Sequence, residues 1–276
     1  MTKTEICNLA LSLLSANTAT DIDTDTTPQA EAVRRWFAPA RDECLVSHPW
    51  NFATKRARLT LTWTALSGVA LADNGSGEIR VTHTSHGLTT GQRIHMQDVE
   101  GVTAANGTWY VTRIDADTYD LDASVFAGTH TSGTGEWIVA PLHGWDYKHT
   151  LPTDNLRVVR VNGYEGNEED SAPYAIEESV LLSDDTIIDL QYVYQHTTVA
   201  NWTQDFINAF AALLASYVAA EITESVGRGE TLRKQFEAIV APQKRRNDAR
   251  TGKGRTLQPT FNSQLVAARR SSITNW

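Results

Sequence analysis

The spacing of hydrophobic residues changes twice along this chain, and that change limits the available folds more than any other feature. Across residues 65–137 no helical repeat can be drawn. The stretch is rich in Gly and Thr, and short alternating runs occur at 78–82, 93–96, 108–114 and 118–121. Turn pairs punctuate them: Asn74-Gly75, His86-Gly87 and Asn106-Gly107. A period of two places alternate side chains on one face of a strand, so the stretch predicts a small all-β barrel or sandwich.

On either side the helical period returns. Thr2 and Glu5 stand at capping-box spacing, and Ile6, Leu9, Ala10, Leu13 and Leu14 follow on one helical face. Thr27-Pro28 opens a second helix reaching about Ser47, with Ala30, Val33, Phe37, Cys44 and Leu45 near one face and Pro39 expected to kink it. Leu59, Leu61 and Trp63 alternate as on a strand, and further strands are expected at 157–161, 174–176, 179–182 and 186–194. The longest helix is predicted over 203–225, striped by Phe206, Phe210, Leu213, Leu214, Tyr217 and Val218. Gly227 and Gly229 are expected to break it before a last helix holding Leu232, Phe236, Ile239 and Val240. The fold class read from this pattern is α+β, a helical bundle with a small antiparallel sheet plus an inserted all-β barrel or sandwich. The domains follow as residues 1–63 with 140–250, an insertion at 65–137, and an extended basic tail at 251–276. An insertion of this kind survives where it leaves the host core intact.

Charge is unevenly spread. Residues 228–276 carry eleven Lys or Arg against three acids, whereas residues 1–227 have a net charge of −17. The basic end seeks an acidic partner, protein or nucleic acid, and the acidic body argues against a general DNA-binding surface. Lys244, Arg245, Arg246, Arg250, Lys253 and Arg255 are the candidates for that contact. No apolar run is expected to reach the roughly 18–20 residues of a membrane span, and Met1-Thr2-Lys3-Thr4-Glu5 opens a polar helix rather than a secretory signal. The two cysteines cannot build a disulfide framework, so a protein made in the cytoplasm, with no membrane anchor, is expected.

No residues assemble into a catalytic set. Asp21, Asp23 and Asp25 alternate like a calcium loop, but Thr26 stands where the turn needs Gly, and Ala32 where the loop needs Glu. His83, His86, His95 and His130 have no cysteine near them and no converging spacing, so no metal is expected. Cys7 and Cys44 lie on apolar helix faces and read as buried structural thiols. Neither a nucleophile elbow nor a phosphate loop is present, so no enzyme activity and no cofactor are expected. Trp36, Trp50, Phe52 and Trp63 can stack bases or fill a core, and core is the commoner use. The small residues Ala209, Ala212, Ala215 and Ala219, with Trp36 and Trp50, are candidates for contacts between copies of the chain.

Three segments resemble the start of podophage tail tubular protein A, the head–tail adaptor family. They are Ile6-Cys7-Asn8-Leu9-Ala10-Leu11, Ala40-Arg41-Asp42-Glu43-Cys44-Leu45 and His48-Pro49-Trp50-Asn51-Phe52-Ala53. Leu151-Pro152-Thr153-Asp154-Asn155-Leu156-Arg157-Val158 and the Ala/Leu helix over 206–223 are similar to its second half. The resemblance implies a structural virion protein of the tail neck. It would form a ring of twelve copies between the head portal protein and the tail nozzle protein, with Lys244, Arg245, Arg246, Arg250, Lys253 and Arg255 as the candidate portal-binding residues, and genome DNA would pass through it without sequence-specific contact during ejection. The inserted stretch resembles the small β module named after the first catalytic cysteine half-domain of ubiquitin-activating enzymes. It contains no cysteine, so only the fold carries over. The alternative is a tail module that binds host surface or carbohydrate through the insertion.

Overall fold

The computed structural model describes residues 1–165, 174–223 and 226–250. The chain divides into two compact units, residues 1–55 with 192–276, and residues 56–191.

The first unit is helical. Helix α1 (Lys3–Leu13) is closed at its start by the capping box: Thr2 Oγ1 accepts from Glu5 N, and Thr2 N donates to the Glu5 carboxylate. Helix α2 (Pro28–Ser47) starts at the Thr27 cap and runs through Pro39. The loop between them is held by side chains that imitate backbone. Asn8 donates to Ala19 O and accepts from Ala19 N, both at 2.8 Å, while Arg34 donates to the carbonyls of Ile22, Asp23 and Asp25. Helix α3 (Gln204–Thr223) lies against α1, α2 and α4 (Val226–Arg250). Helix α3 is long and apolar enough to cross a membrane by composition, a property the run-length reading of the sequence passed over, and 61% of its most apolar window is buried within the protein. Gly227 and Gly229 lie in the first turns of α4. Gly229 permits a close helix approach, since a Cβ there would stand 3.1 Å from Ser216 O.

The second unit is built of strands. Its largest sheet joins β2 (Thr64–Ala65), β3 (Ala70–Asp73), β4 (Ile79–Thr82), β5 (Arg93–Gln97), β6 (Gly107–Arg113), β7 (Thr118–Leu121) and β8 (Glu136–Val139) in the order β2-β8-β5-β6-β7-β4-β3. It curls into a half-barrel whose end strands, β2 and β3, do not pair with each other. The curl turns at β6, whose first residues pair with β5 and whose last pair with β7. The alternation seen in the sequence sets the two faces: Ile79, Val81, Ile94, Met96, Val111, Tyr119 and Leu121 are fully buried inside.

Two smaller sheets complete the strands. Strands β9 (Tyr147–Thr150), β12 (Ala175–Glu177) and β13 (Val180–Ser183) form one, in the order β12-β13-β9. Strands β1 (Thr54–Thr60), β10 (Asn155–Val161), β11 (Tyr164–Glu165) and β14 (Ile187–Tyr194) form the other, in the order β1-β14-β10-β11. Sheets of four, three and seven strands against four helices, among the described residues, make this a mostly β chain. The expected helical bundle with a small antiparallel sheet is therefore corrected. Strands of two to four residues carry too little alternation to be counted from sequence, and the long helices dominated the reading.

One ion pair braces the half-barrel from outside. Arg80 presents its fork to Asp120, Nε to Oδ1 at 2.7 Å and Nη2 to Oδ2 at 2.8 Å, and Asn74 adds a bond at 3.1 Å. The Arg80 hydrogen bonds hold the Asp120 carboxyl below its ordinary value, with burial opposing them and Asn74 helping. A depressed folded-state pKa contributes stability that is present above the unfolded value, about 3.9, and is lost as pH falls through the folded value. An Asp120→Asn chain should therefore melt a few degrees below wild type at neutral pH. The gap should close as both are taken below about pH 4, which melting curves across pH will show.

Candidate interaction surfaces

The expected contact residues divide into two groups. Ala209, Ala212, Ala215 and Ala219 are at most 1% exposed, and the surface of α3 is occupied by α1, α2 and α4 of the same chain. Trp50 is buried, donates Nε1–H to Cys44 O at 2.9 Å and meets Phe206 edge-on at 5.2 Å. Trp36 is half-buried and stacks on Tyr217, with centroids 4.9 Å apart and planes 6° apart. The basic candidates have a different status. Lys244, Arg245, Arg246 and Arg250 fall in the last turns of α4, where side chains lie outside the described residues, as do Lys253 and Arg255 altogether.

Around Trp36 the helical unit presents a charged cleft. Glu43 from α2 accepts from the Tyr217 hydroxyl of α3 and from Arg233 of α4, which joins three helices at one carboxylate. That hydrogen bond first, and burial second, push the Tyr217 phenol above its ordinary value. Arg35 reaches Glu221 at 3.3 Å beside it. Gly229, Glu230, Lys234 and Glu237 line the rest of a cleft of about 530 Å³. The Glu43 carboxylate, Tyr217 phenol and Arg233 guanidinium are spent on one another, so this arrangement fastens three helices together.

A second surface escaped the sequence reading. On the four-stranded sheet, Arg56 and Arg58 of β1, Asp189 and Gln191 of β14, and Arg160 of β10 line a groove of about 430 Å³. Arg58 holds Asp189 through Nε at 2.8 Å and Nη2 at 3.3 Å, and this keeps the Asp189 carboxyl below its ordinary value. The signal was available: Arg56 and Arg58 are two apart, so a strand places them on one face. The sequence reading followed only the apolar face of that run.

The remaining candidates have local roles. Asp21 accepts from Asp23 N, Asp25 accepts from Thr27 N, and Asp23 pairs with Lys3. His86 accepts from Leu88 N at 3.0 Å, His83 meets Trp137 edge-on at 5.9 Å, and His95 shares a hydrogen bond with Thr108. Among the described residues no group of three His, Cys, Asp or Glu is placed to hold a metal ion. Both cysteines are buried; burial pushes the Cys7 thiol up to about 12 and raises Cys44 as well, so neither is an activated thiolate. No family model matches the chain, and no curated protein is similar to it in sequence at a significant level.

Proposed function

We propose that the chain is a non-enzymatic structural subunit of a short-tailed phage neck, repeated in a ring between portal and nozzle and leaving a passage for DNA. One observation carries the reading. Two of the segments that resemble the adaptor family, far apart in sequence, meet in a single core: Trp50 and Phe52 pack on Phe206 at 5.2 and 5.0 Å. The quoted segments at residues 6–11 and 40–45 belong to the same unit, whereas the one at residues 151–158 belongs to the strand unit. Asn8 pins the α1–α2 loop, and Glu43 ties α2 to α3 and α4. Residues shared for architecture rather than chemistry suit a protein that works by adhesion and shape. The acidic body suits a channel wall as well, because like charge denies DNA the phosphate contacts that would stall it.

The test is to label this chain in intact virions and image them. A ring of labels at the neck is expected. A label anywhere else, or a single copy at the neck, overturns the proposal. The alternative, host-surface or glycan binding, rests on the half-buried rings of Trp63, His95 and Tyr147, whose centroids are 5.5–6.4 Å apart. Labels on fibres or at the tail tip would favour it.

A further inference from the structure

The half-barrel holds polar groups that its own chain does not satisfy. Tyr119 Oη, Trp137 Nε1 and His83 Nδ1 are buried and have no hydrogen-bond partner among the described residues. Tyr119 is fully buried and Trp137 is 6% exposed, and both belong to the apolar core of the sheet. Packing brings the three side chains into one neighbourhood. The His83 ring meets Trp137 edge-on at 5.9 Å. Val81 of β4 pairs with Tyr119 of β7, and the bond from His83 N to Asp117 O, 2.7 Å, carries that ladder one step past Thr82. His83 therefore stands diagonally beside Tyr119, on the same face of the sheet. His86 links them again: its ring is 4.9 Å from Tyr119, and it lies close enough to His83 to oppose protonation there.

We propose that Tyr119, Trp137 and His83 together bind one ordered water inside the half-barrel. The three groups are complementary to such a guest. The indole N–H only donates, and the phenol hydroxyl both donates and accepts. Burial raises the Tyr119 phenol above its ordinary value, so the hydroxyl keeps its proton. Burial first, and His86 second, hold the His83 imidazole below its ordinary value, so the ring is neutral at pH 7. A water accepts from the indole and pairs with the other two whichever tautomer His83 adopts. That makes about three bonds, the usual number for a water inside a protein. Unmet, each group would lose its hydration with nothing in return, which native cores rarely tolerate. A metal ion is the wrong guest, because an indole N–H offers it no lone pair. The water also has a mechanical consequence. Trp137 lies on β8 and His83 follows β4, and each of those strands adjoins an end strand of the sheet. The end strands, β2 and β3, do not pair with each other, so the bridge ties two sides of the curl that the sheet leaves unjoined.

The test is amide hydrogen exchange on the full chain, which reads the opening of the half-barrel by itself. Tyr119→Phe removes only the hydroxyl. With a water bridged to it, the slowest amides of β4 and β7 should exchange about fivefold faster in the variant. A hydroxyl without a partner costs nothing to remove, so exchange that is unchanged or slower overturns the proposal. In a His83→Phe background, which keeps the ring against Trp137 but not the nitrogens, Tyr119→Phe should cost less than about twofold, because the water has lost one of its holders. An equal effect in both backgrounds would show that the hydroxyl and the imidazole share no guest, and would also overturn it. A crystal structure of the unaltered chain gives a reading that needs no variant. One water within hydrogen-bond distance of all three atoms is expected there. Side chains turned to bond one another directly, or no water among them, would refute the site. None of these results moves the label in virion images, so this site and the neck placement fail separately.

Discussion

A Phe206→Ala chain will lose its helical unit about 10 °C below wild type when melting is followed by the helical circular dichroism signal. Phe206 is fully buried on α3 and touches four other rings: Trp50 at 5.2 Å, Phe52 at 5.0 Å, Trp202 at 4.8 Å and Phe210 at 6.2 Å. Truncating a buried Phe costs about 3–5 kcal/mol, and the upper part of that range applies where the surroundings cannot collapse into the hole. Rings cannot collapse as aliphatic chains can. Three of these contacts are edge-to-face, each worth about 0.5–1.5 kcal/mol beyond the buried area. Against a typical domain stability of about 5–15 kcal/mol, the loss is a large share. Phe206→Leu, which refills most of the volume but not the ring contacts, should recover more than half of the drop. Equal melting of Phe206→Ala and wild type would show that residues 48–52 do not rest on α3, and the observation behind the proposed function would go with it.

What the sequence reveals depends on how far apart the deciding residues are. The capping box at Thr2 and Glu5 and the Thr27-Pro28 start are local, and both helices begin where those residues place them. Strands β4 and β5 alternate strictly in burial, and β7 alternates in residue type although it buries Tyr119, Asp120 and Leu121 in a row; their positions follow within a residue or two. Strand β8 buries the adjacent Trp137 and Ile138, which erases the period, and β9 buries only His149. Strands of that kind are defined by the neighbours that pair with them, and missing them is what tilted the fold class toward helix. The alanine stripe of α3 shows the same limit from another side. Small residues announce that something packs closely, but they do not say whether it is another copy or, as here, α1, α2 and α4 of the same chain. Arg56 and Arg58 were legible as a pair on β1. Arg160 joins them only because β14 lies between β1 and β10.

The half-barrel offers an equally large effect at a residue with no side chain. Gly101 follows β5 with φ +79°, and a Cβ built there would stand 1.8 Å from Thr129 O. The approach is mutual: Gly128 has φ +100°, and its Cβ would stand 2.0 Å from Gly101 O. Two backbone strands thus cross with only hydrogen atoms between them, and Thr131 N donates to Glu100 O at 3.0 Å beside the crossing. Gly101→Ala adds two costs. A left-handed backbone costs a non-glycine residue roughly 1–2 kcal/mol. The clash is with backbone, which cannot swing aside, so the loops must part, and Val99, Val102 and Ala105, all buried next to the crossing, lose packing. Gly91→Ala separates the two costs, because Gly91 also has a positive φ, +88°, but nothing lies within 4 Å of its Cβ position. In urea unfolding, Gly91→Ala should lose about 1 kcal/mol and Gly101→Ala about 3 kcal/mol or more. Equal losses would mean that the crossing is looser than 1.8 Å implies, and that the register of the loop after β5 is set by its hydrogen bonds alone.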